Sequence, residues 1–398
     1  MNRTLDPAPS PLDDPSSPLS EVARQPLMLG LFLPTQNGAF SQSLLPRSTR
    51  WDFDYNRMLV QRAEAAGFEF IFSLQQWIHK GGFGGEMSYR ENFLDPFTTT
   101  VALAPLTQRL ITIATTHVLY GNLHPLYVAR FSATADHISK GRFGVNVVTG
   151  YDPKETKMFG MERIDHELRY EQADEYASIM EDLWVGNENL DYKGRWYDLE
   201  GAYISPRPKY GRPIMVSASA SSAGFEYAAK HSDIVFTSSK SGAPYEKAMR
   251  SIPDITKEIA QAYSKTGRQH RTIIFPMVIC KETREEAHRY ADAIASMPDI
   301  GSIVNYDNRH KSGDAHGWPE HVPADRVLGG HVQIIGSPED VADQLEGLYN
   351  AGIHGVQVGF YDYESELEFF IERVIPILEK RGLREPVKLP SVHEEIAV

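Results

Sequence analysis

The stretch Gly141–Tyr151, GRFGVNVVTGY, puts one amide into an otherwise apolar strand. Side chains alternate along a strand, so Gly144, Asn146 and Val148 share a face. A glycine there lets a flat group approach the backbone closely. A buried asparagine must find hydrogen-bond partners or cost several kcal/mol. A ring with imide groups, such as isoalloxazine, would satisfy it, and so would a neighbouring strand of a closed sheet. A second run, ITIATTH, brings Thr115, Thr116 and His117 to a strand's C-terminal end. His117 is a candidate acid or base, although a lone histidine is more often a satisfied structural one, and a strand threonine such as Thr115 reads first as structural. The stretch VSASASSAG (Val216–Gly224) spans a strand end and a helix start and includes Ser221 and Ser222. Hydroxyls, exposed amides and a helix N-terminus together suit an anion; the alternative is a plain small-residue helix cap. In barrels, phosphate more usually follows strands seven and eight.

Missing motifs narrow the chemistry. No GxGxxG follows a strand, and no Walker A loop or HExxH occurs, so neither a nicotinamide dinucleotide nor a nucleoside triphosphate has its usual cradle. The run Gly82–Phe83–Gly84–Gly85 lacks the final glycine. The 14 histidines show no ligand spacing. Their one cluster is His310, His316 and His321, and no metal site is expected there. The single cysteine, Cys280, excludes an internal disulfide and Cys-rich zinc sites.

Positioning such residues requires a regular frame. Strand patterns cover Met28–Pro34, Phe70–Ser73, Ile111–His117, Phe143–Thr149, Ile214–Ser217, Ile234–Thr237, Ile273–Cys280 and Gly355–Phe360. Helical patterns alternate with them: Asp54–Ala66, Asp95–Ala104, Leu126–Ile138, Glu167–Trp184, Ala223–Lys230, Ala243–Lys265, Arg284–Ser296, Pro338–Ala351 and Ser365–Lys380. Alternation implies parallel strands with right-handed crossovers. Eight such units predict an α/β fold, a (β/α)₈ TIM barrel, as one domain over residues 26–398. Two segments read as long irregular loops, Gln75–Asn92 and Ile300–Gly330. Loops beyond about 15 residues are uncommon unless functional. The first follows a strand end, where a barrel builds its active-site mouth.

Residues 1–25 hold five prolines and few apolar side chains and are expected to form a flexible tail. The whole chain of 398 residues is 41% hydrophobic, and no apolar run reaches the length of a spanning helix. Its net charge of −13 disfavours nucleic acid and anionic lipid as partners. No secretory leader opens the sequence, so the cytoplasm is the expected address.

Taken together, MLGLFLPTQNG, FSLQQ, the GFGG loop, RLITIAT, ISKGRFGVNVVTGY, HELRYEQADEY and IIGSPEDVADQLEGLYNAGIHGVQVGF resemble the bacterial luciferase-like, flavin-dependent monooxygenases. The likeness spans nearly all of residues 27–382. Its motifs look closest to the pyrimidine oxygenases of uracil degradation, with dimethylsulfone monooxygenases and riboflavin lyases as relatives. The resemblance implies a barrel holding reduced FMN, supplied by a separate NAD(P)H:flavin reductase, with O₂ as co-substrate. It further implies a flavin peroxide that attacks a small N-heterocyclic substrate. Carried over by residue, Ser73, Gln75 and Gln76 lie along the flavin, and Asn146 contacts its ring. Glu155, Arg169, Tyr170, Ser221 and Ser222 match positions for the ribityl chain and phosphate. Thr115 and Asn146 match the pair that positions O₂, while Phe72, His117 and Tyr151 line the substrate pocket. Three departures stand out: Tyr151 replaces a tryptophan, Phe72 a leucine and Gln76 a lysine. The loop Tyr120–His124 is also longer. A homodimer or homotetramer is expected. The alternatives are an organosulfur monooxygenase of the sulfone type, a riboflavin-cleaving lyase and a noncatalytic flavin-binding protein.

Overall fold

The computed structural model describes residues 8–119, 123–150, 152–162, 164–312 and 324–387. Among them the strands are β1 (Met28–Phe32), β2 (Phe70–Ser73), β3 (Ile111–His117), β4 (Phe143–Val148), β5 (Leu190–Lys193), β6 (Asp198–Ala202), β7 (Ile214–Ala218), β8 (Ile234–Thr237), β9 (Arg271–Ile274), β10 (Pro276–Cys280), β11 (Val332–Gly336) and β12 (Gly355–Val358). Eight of them close into a parallel barrel in the order β1-β12-β9-β8-β7-β4-β3-β2. This is the (β/α)₈ architecture that the alternation predicts. Helices cover the outside, so β1, β2 and β3 are buried at every residue. That double burial is why these strands read as continuous apolar runs rather than as alternating ones.

Besides a helix at Pro153–Met158 and a break at Val374 in the helix expected over Ser365–Lys380, the structure departs from the sequence reading in five places. The expected seventh strand, Ile273–Cys280, breaks at Phe275. β9 stays in the barrel, while β10 leaves it to pair with β11, Pro276 opposite Val332. Pro276 has no N–H to give a central ladder, which favours the break. The hairpin β5–β6 and the strand β11 were not anticipated. The helix expected over Ala243–Lys265 divides into Tyr245–Ala248 and Ile252–Thr266, the second with a proline in its first turn. The segment Ile300–Gly330 is not wholly irregular, because Ile300–Ser312 and Asp325–Leu328 are helical; residues 313–323 lie outside the described residues. Gln75–Asn92, by contrast, holds neither helix nor strand.

The fifth departure is the N-terminal segment. Residues 1–7 lie outside the described residues, but residues 8–25 are not a flexible tail. Short helices begin at Pro11 and Pro18, capped by Ser10 and Ser17, so two of the prolines sit where a missing N–H costs nothing. Leu12, Leu19 and Val22 join the main apolar core. The Ser10 hydroxyl donates to Asp233 Oδ1 at 2.5 Å. Asp233 also takes both Nη groups of the fully buried Arg212, at 2.6 and 2.7 Å. The segment therefore closes the end of the barrel where the strands begin.

Candidate active site

At the other end of the barrel, the strand C-termini and the loops that follow them enclose a cavity of about 320 Å³, within the range that holds drug-sized ligands and cofactors. Its aromatic floor comes from strand ends. Phe32 meets Phe72 edge-on at 5.5 Å and Phe275 at 4.8 Å, and Phe72 lies 5.5 Å from Phe236.

The β3–β4 ladder builds one wall. Thr115 stands directly opposite Asn146, and Asn146 Nδ2 donates to Thr115 Oγ1 at 3.0 Å. Both are buried at 4% and 2% exposure. Asn146 Oδ1 is also buried and has no hydrogen-bond partner among the described residues. A buried orphan acceptor typically costs 1–3 kcal/mol, a cost that a donor from outside the chain would remove. His117, at the end of β3, places Nδ1 3.0 Å from Glu155 Oε2. The His117 backbone N–H donates to Gln75 Oε1 at 2.8 Å, which ties the loop after β2 to the end of β3.

The next wall follows β7. Ser219, Ala220 and Ser221 line the cavity, and Ser221 caps the helix Ser222–His231 by accepting from Gly224 N at 3.3 Å. Arg169 and Tyr170 come from the helix His166–Val185 to the same place, with Arg169 donating to the Gly150 carbonyl. A Cβ at Gly224 would lie 2.8 Å from the Tyr170 hydroxyl, so glycine in the first turn makes room for that ring. A helix N-terminus and a serine cap stand here, and the Arg169 guanidinium lines the same cavity, a donor set suited to a phosphate.

The structure thus brings Phe72, Gln75, Gln76, Thr115, His117, Asn146, Glu155, Arg169, Tyr170 and Ser221 to one cavity. Three sequence expectations need correction. Ser73 does not reach the cavity; it is buried, with its hydroxyl 3.3 Å from Thr35 Oγ1. Ser222 is exposed and donates to Glu258 instead. Gly144 does not clear space for a flat ligand, because a Cβ there would meet Ile113 Cγ1 at 3.1 Å and Ile214 Cβ at 3.5 Å. Its role is to let the barrel-filling side chains pack beneath Asn146. Tyr151 and residues 120–122 of the longer loop lie outside the described residues, as do His316 and His321.

Sequence reasoning missed the far wall. Arg90, Tyr306, His310, Arg326 and His331 line the cavity too. His331 stacks on Phe236 at 5.1 Å and 12°. These residues belong to loops and helices whose nearness is purely tertiary. The one available signal was the length of the two segments that carry all of them but His331, which follows the second directly.

A family model described as luciferase-like monooxygenase matches residues 28–355. The pyrimidine monooxygenase RutA of Acinetobacter baylyi is 31% identical over 366 residues, 89% of this chain and 95% of its own. The FMNH(2)-dependent dimethylsulfone monooxygenase of Pseudomonas fluorescens is 27% identical over 371 residues, 90% of this chain and 96% of its own. Among solved structures, a riboflavin lyase superposes with a TM-score of 0.77 at 24% identity, covering 92% of this chain and 94% of its own. DmoA from Hyphomicrobium sulfonivorans gives 0.77 at 21%, covering 92% and 90%. The two structural likenesses speak for the fold; the family match and the sequence identity carry the assignment. The chain belongs to the bacterial luciferase-like monooxygenase family.

Proposed function

We propose that the protein oxygenates a small N-heterocyclic substrate using reduced FMN and O₂, the flavin arriving from a separate NAD(P)H:flavin reductase. The observation that carries this reading is Asn146 Oδ1, buried beside Thr115 without a partner among the described residues. A ring N–H of a flavin would satisfy it. The rest of the cavity fits the same molecule: flat aromatic faces below, and the Ser221 cap with Arg169 for the phosphate. When bound, reduced flavin would supply the electrons that activate O₂.

The chain's own residues bind, orient and exclude water. Thr115 and Asn146 present a hydroxyl and an amide side by side at one edge of the cavity, where they position O₂. The Glu155 carboxylate orients the His117 imidazole through Nδ1, which places a candidate acid or base at the cavity wall. Phe72 and Phe236 keep the floor dry, and a dry site strengthens every polar contact within it.

The test is turnover under ¹⁸O₂ with a flavin reductase, NADH and FMN, offering uracil, a pyridine, dimethylsulfone and riboflavin in turn. One ¹⁸O atom in the product of a heterocycle is expected. Labelled product from dimethylsulfone alone would move the substrate class to organosulfur compounds, the reading that the 27% identical relative supports. Hydrogen peroxide alone with all four would overturn the oxygenase assignment.

A further inference from the structure

Three chain segments meet at one residue behind the far wall of the cavity. Asp299 precedes the helix Ile300–Ser312 and is 2% exposed. Its backbone N–H donates to the Gln42 carbonyl at 2.8 Å. Its carboxylate accepts from the backbone N–H of Glu86 at 3.2 Å and of Met87 at 3.1 Å, both in the loop after β2. The same carboxylate accepts from Ser302 N of its own helix at 3.4 Å. A buried carboxylate needs such donors, and bonds to a charged acceptor are the stronger kind. An aspartate in this position ordinarily caps its own helix. Here its two shorter bonds go to another segment.

The glycines of the loop are fitted to that carboxylate. Gly85 has a φ of +74°, and a Cβ there would lie 2.0 Å from Asp299 Oδ1. A Cβ at Gly301, in the first turn of the helix, would lie 3.0 Å from Gly85 Cα. One turn on, Asn305 donates to the Phe83 carbonyl at 2.9 Å. Beneath these contacts Phe83, Tyr89 and Tyr306 form an apolar cluster apart from the barrel core, with Phe83 4.6 Å from Tyr306 and 6.1 Å from Tyr89. Tyr89 and Tyr306 line the cavity. The return limb of the loop is held separately. Asn37 Nδ2 donates to the Met87 and Ser88 carbonyls at 2.9 and 3.0 Å, and the Tyr89 hydroxyl donates to the Ala39 carbonyl at 3.2 Å. The loop is thus fixed to the segment after β1, and the helix is hung on the loop.

We propose that Asp299 is a positioning residue that latches the helix Ile300–Ser312 to the glycine-rich loop and so holds Tyr306 in place as a water-excluding wall of the cavity. Asp299 is not itself among the residues that line the cavity; it acts through the two segments it joins. A small cluster with few apolar contacts opens more readily than a barrel core, so the strength of the latch sets how often the wall stands open. A closed wall keeps the site dry. The inference rests on the proposed function for what the wall shelters, a bound flavin, and not for the latch itself.

The test is hydrogen exchange on the full chain by mass spectrometry, with iodide quenching of bound FMN fluorescence beside it. Asp299→Ser keeps a good capping residue on a side chain too short to hold both loop amides. Exchange over residues 83–87 and 300–311 is expected to rise at least tenfold, while β1 to β4 stay within twofold. The iodide quenching constant should rise at least threefold, with FMN affinity within about threefold of wild type. Gly85→Ala attacks the same contact from the loop and should move both readings the same way, which keeps the test open if Asp299→Ser fails to fold. The double variant should be no worse than Gly85→Ala alone, because the clash leaves with the carboxylate. Wild-type exchange in Asp299→Ser would reduce Asp299 to a helix cap and overturn the proposal. So would faster exchange spread evenly over the barrel strands, additive effects in the double variant, or faster exchange with unchanged quenching. Failure of the wild-type chain to bind FMN would instead defeat the flavin reading, and the exchange comparison would still decide the latch.

Discussion

Thr115 and Asn146 face each other across one rung of a ladder, and each supplies the other's nearest polar contact. If the pair positions O₂, its contribution is made in the transition state, so Thr115→Ala should lower oxygen transfer more than it weakens FMN binding. Loss of a preorganised donor from a dry site costs on the order of 10²–10³ in rate, whereas losing one hydroxyl and one methyl should cost roughly 1 kcal/mol of stability. Product yield per NADH and hydrogen peroxide release check this: a folded, flavin-binding variant that releases peroxide is expected, and full product yield would make Thr115 structural. Asn146→Ala should show the same uncoupling with weaker flavin binding. At this scale the sequence was legible where a residue contradicts its surroundings. An amide inside FGVNVV is anomalous without any structure. Ser73 misled because strand alternation turns it toward Thr35, away from the cavity. Arg90, Tyr306 and His310 gave no comparable signal, since an arginine in a polar loop reads as solvated until the fold buries it.

The elements do their work at their ends. β7 runs into Ala218–Ser221, and the helix that follows starts at a serine cap. Ser221→Asp keeps a good capping residue, so the helix should hold, while a carboxylate is placed where a phosphate dianion would sit. At 4 Å and an effective dielectric near 20, each unit-charge repulsion is about 4 kcal/mol. FMN affinity should fall at least a hundredfold, at about 1.4 kcal/mol per decade, and riboflavin, without the phosphate, should lose far less. Parallel fluorescence titrations decide the matter: equal losses would put the phosphate elsewhere. The barrel strands were readable as elements because their double burial leaves uniform apolar runs. The exceptions have local causes. Pro276 ends the barrel ladder inside an unbroken apolar run. The β5–β6 hairpin is polar and half exposed, with Leu199 and Ala202 its buried positions. The helix Ile300–Ser312 is sheltered in part by the loop after β2, through Asn305 donating to the Phe83 carbonyl at 2.9 Å.

The whole molecule divides its labour between the two ends of the barrel. The closed end is sealed by buried ion pairs, Arg212 with Asp233 and Arg384 with Glu69, each bidentate. These pairs hold the N-terminal segment and the C-terminal stretch near Arg384 against the strand starts, which composition alone could not reveal: five prolines suggest disorder until Ser10 and Ser17 are seen capping the turns that begin at Pro11 and Pro18. The open end carries the cavity, the cap and the cations. Among the described residues no glycine-rich turn joins a barrel strand to a helix in the GxGxxG pattern of a dinucleotide cradle. On the proposed function the barrel takes FMN already reduced, and a separate reductase handles the nicotinamide. The most direct measurement titrates the full chain with FMN, FAD and NADH in parallel and follows steady-state NADH oxidation with and without an added flavin reductase. One FMN bound per chain in preference to FAD, no measurable NADH binding, and NADH oxidation only when the reductase is present are predicted. Tight NADH binding, or NADH oxidation by the chain and FMN alone, would contradict it.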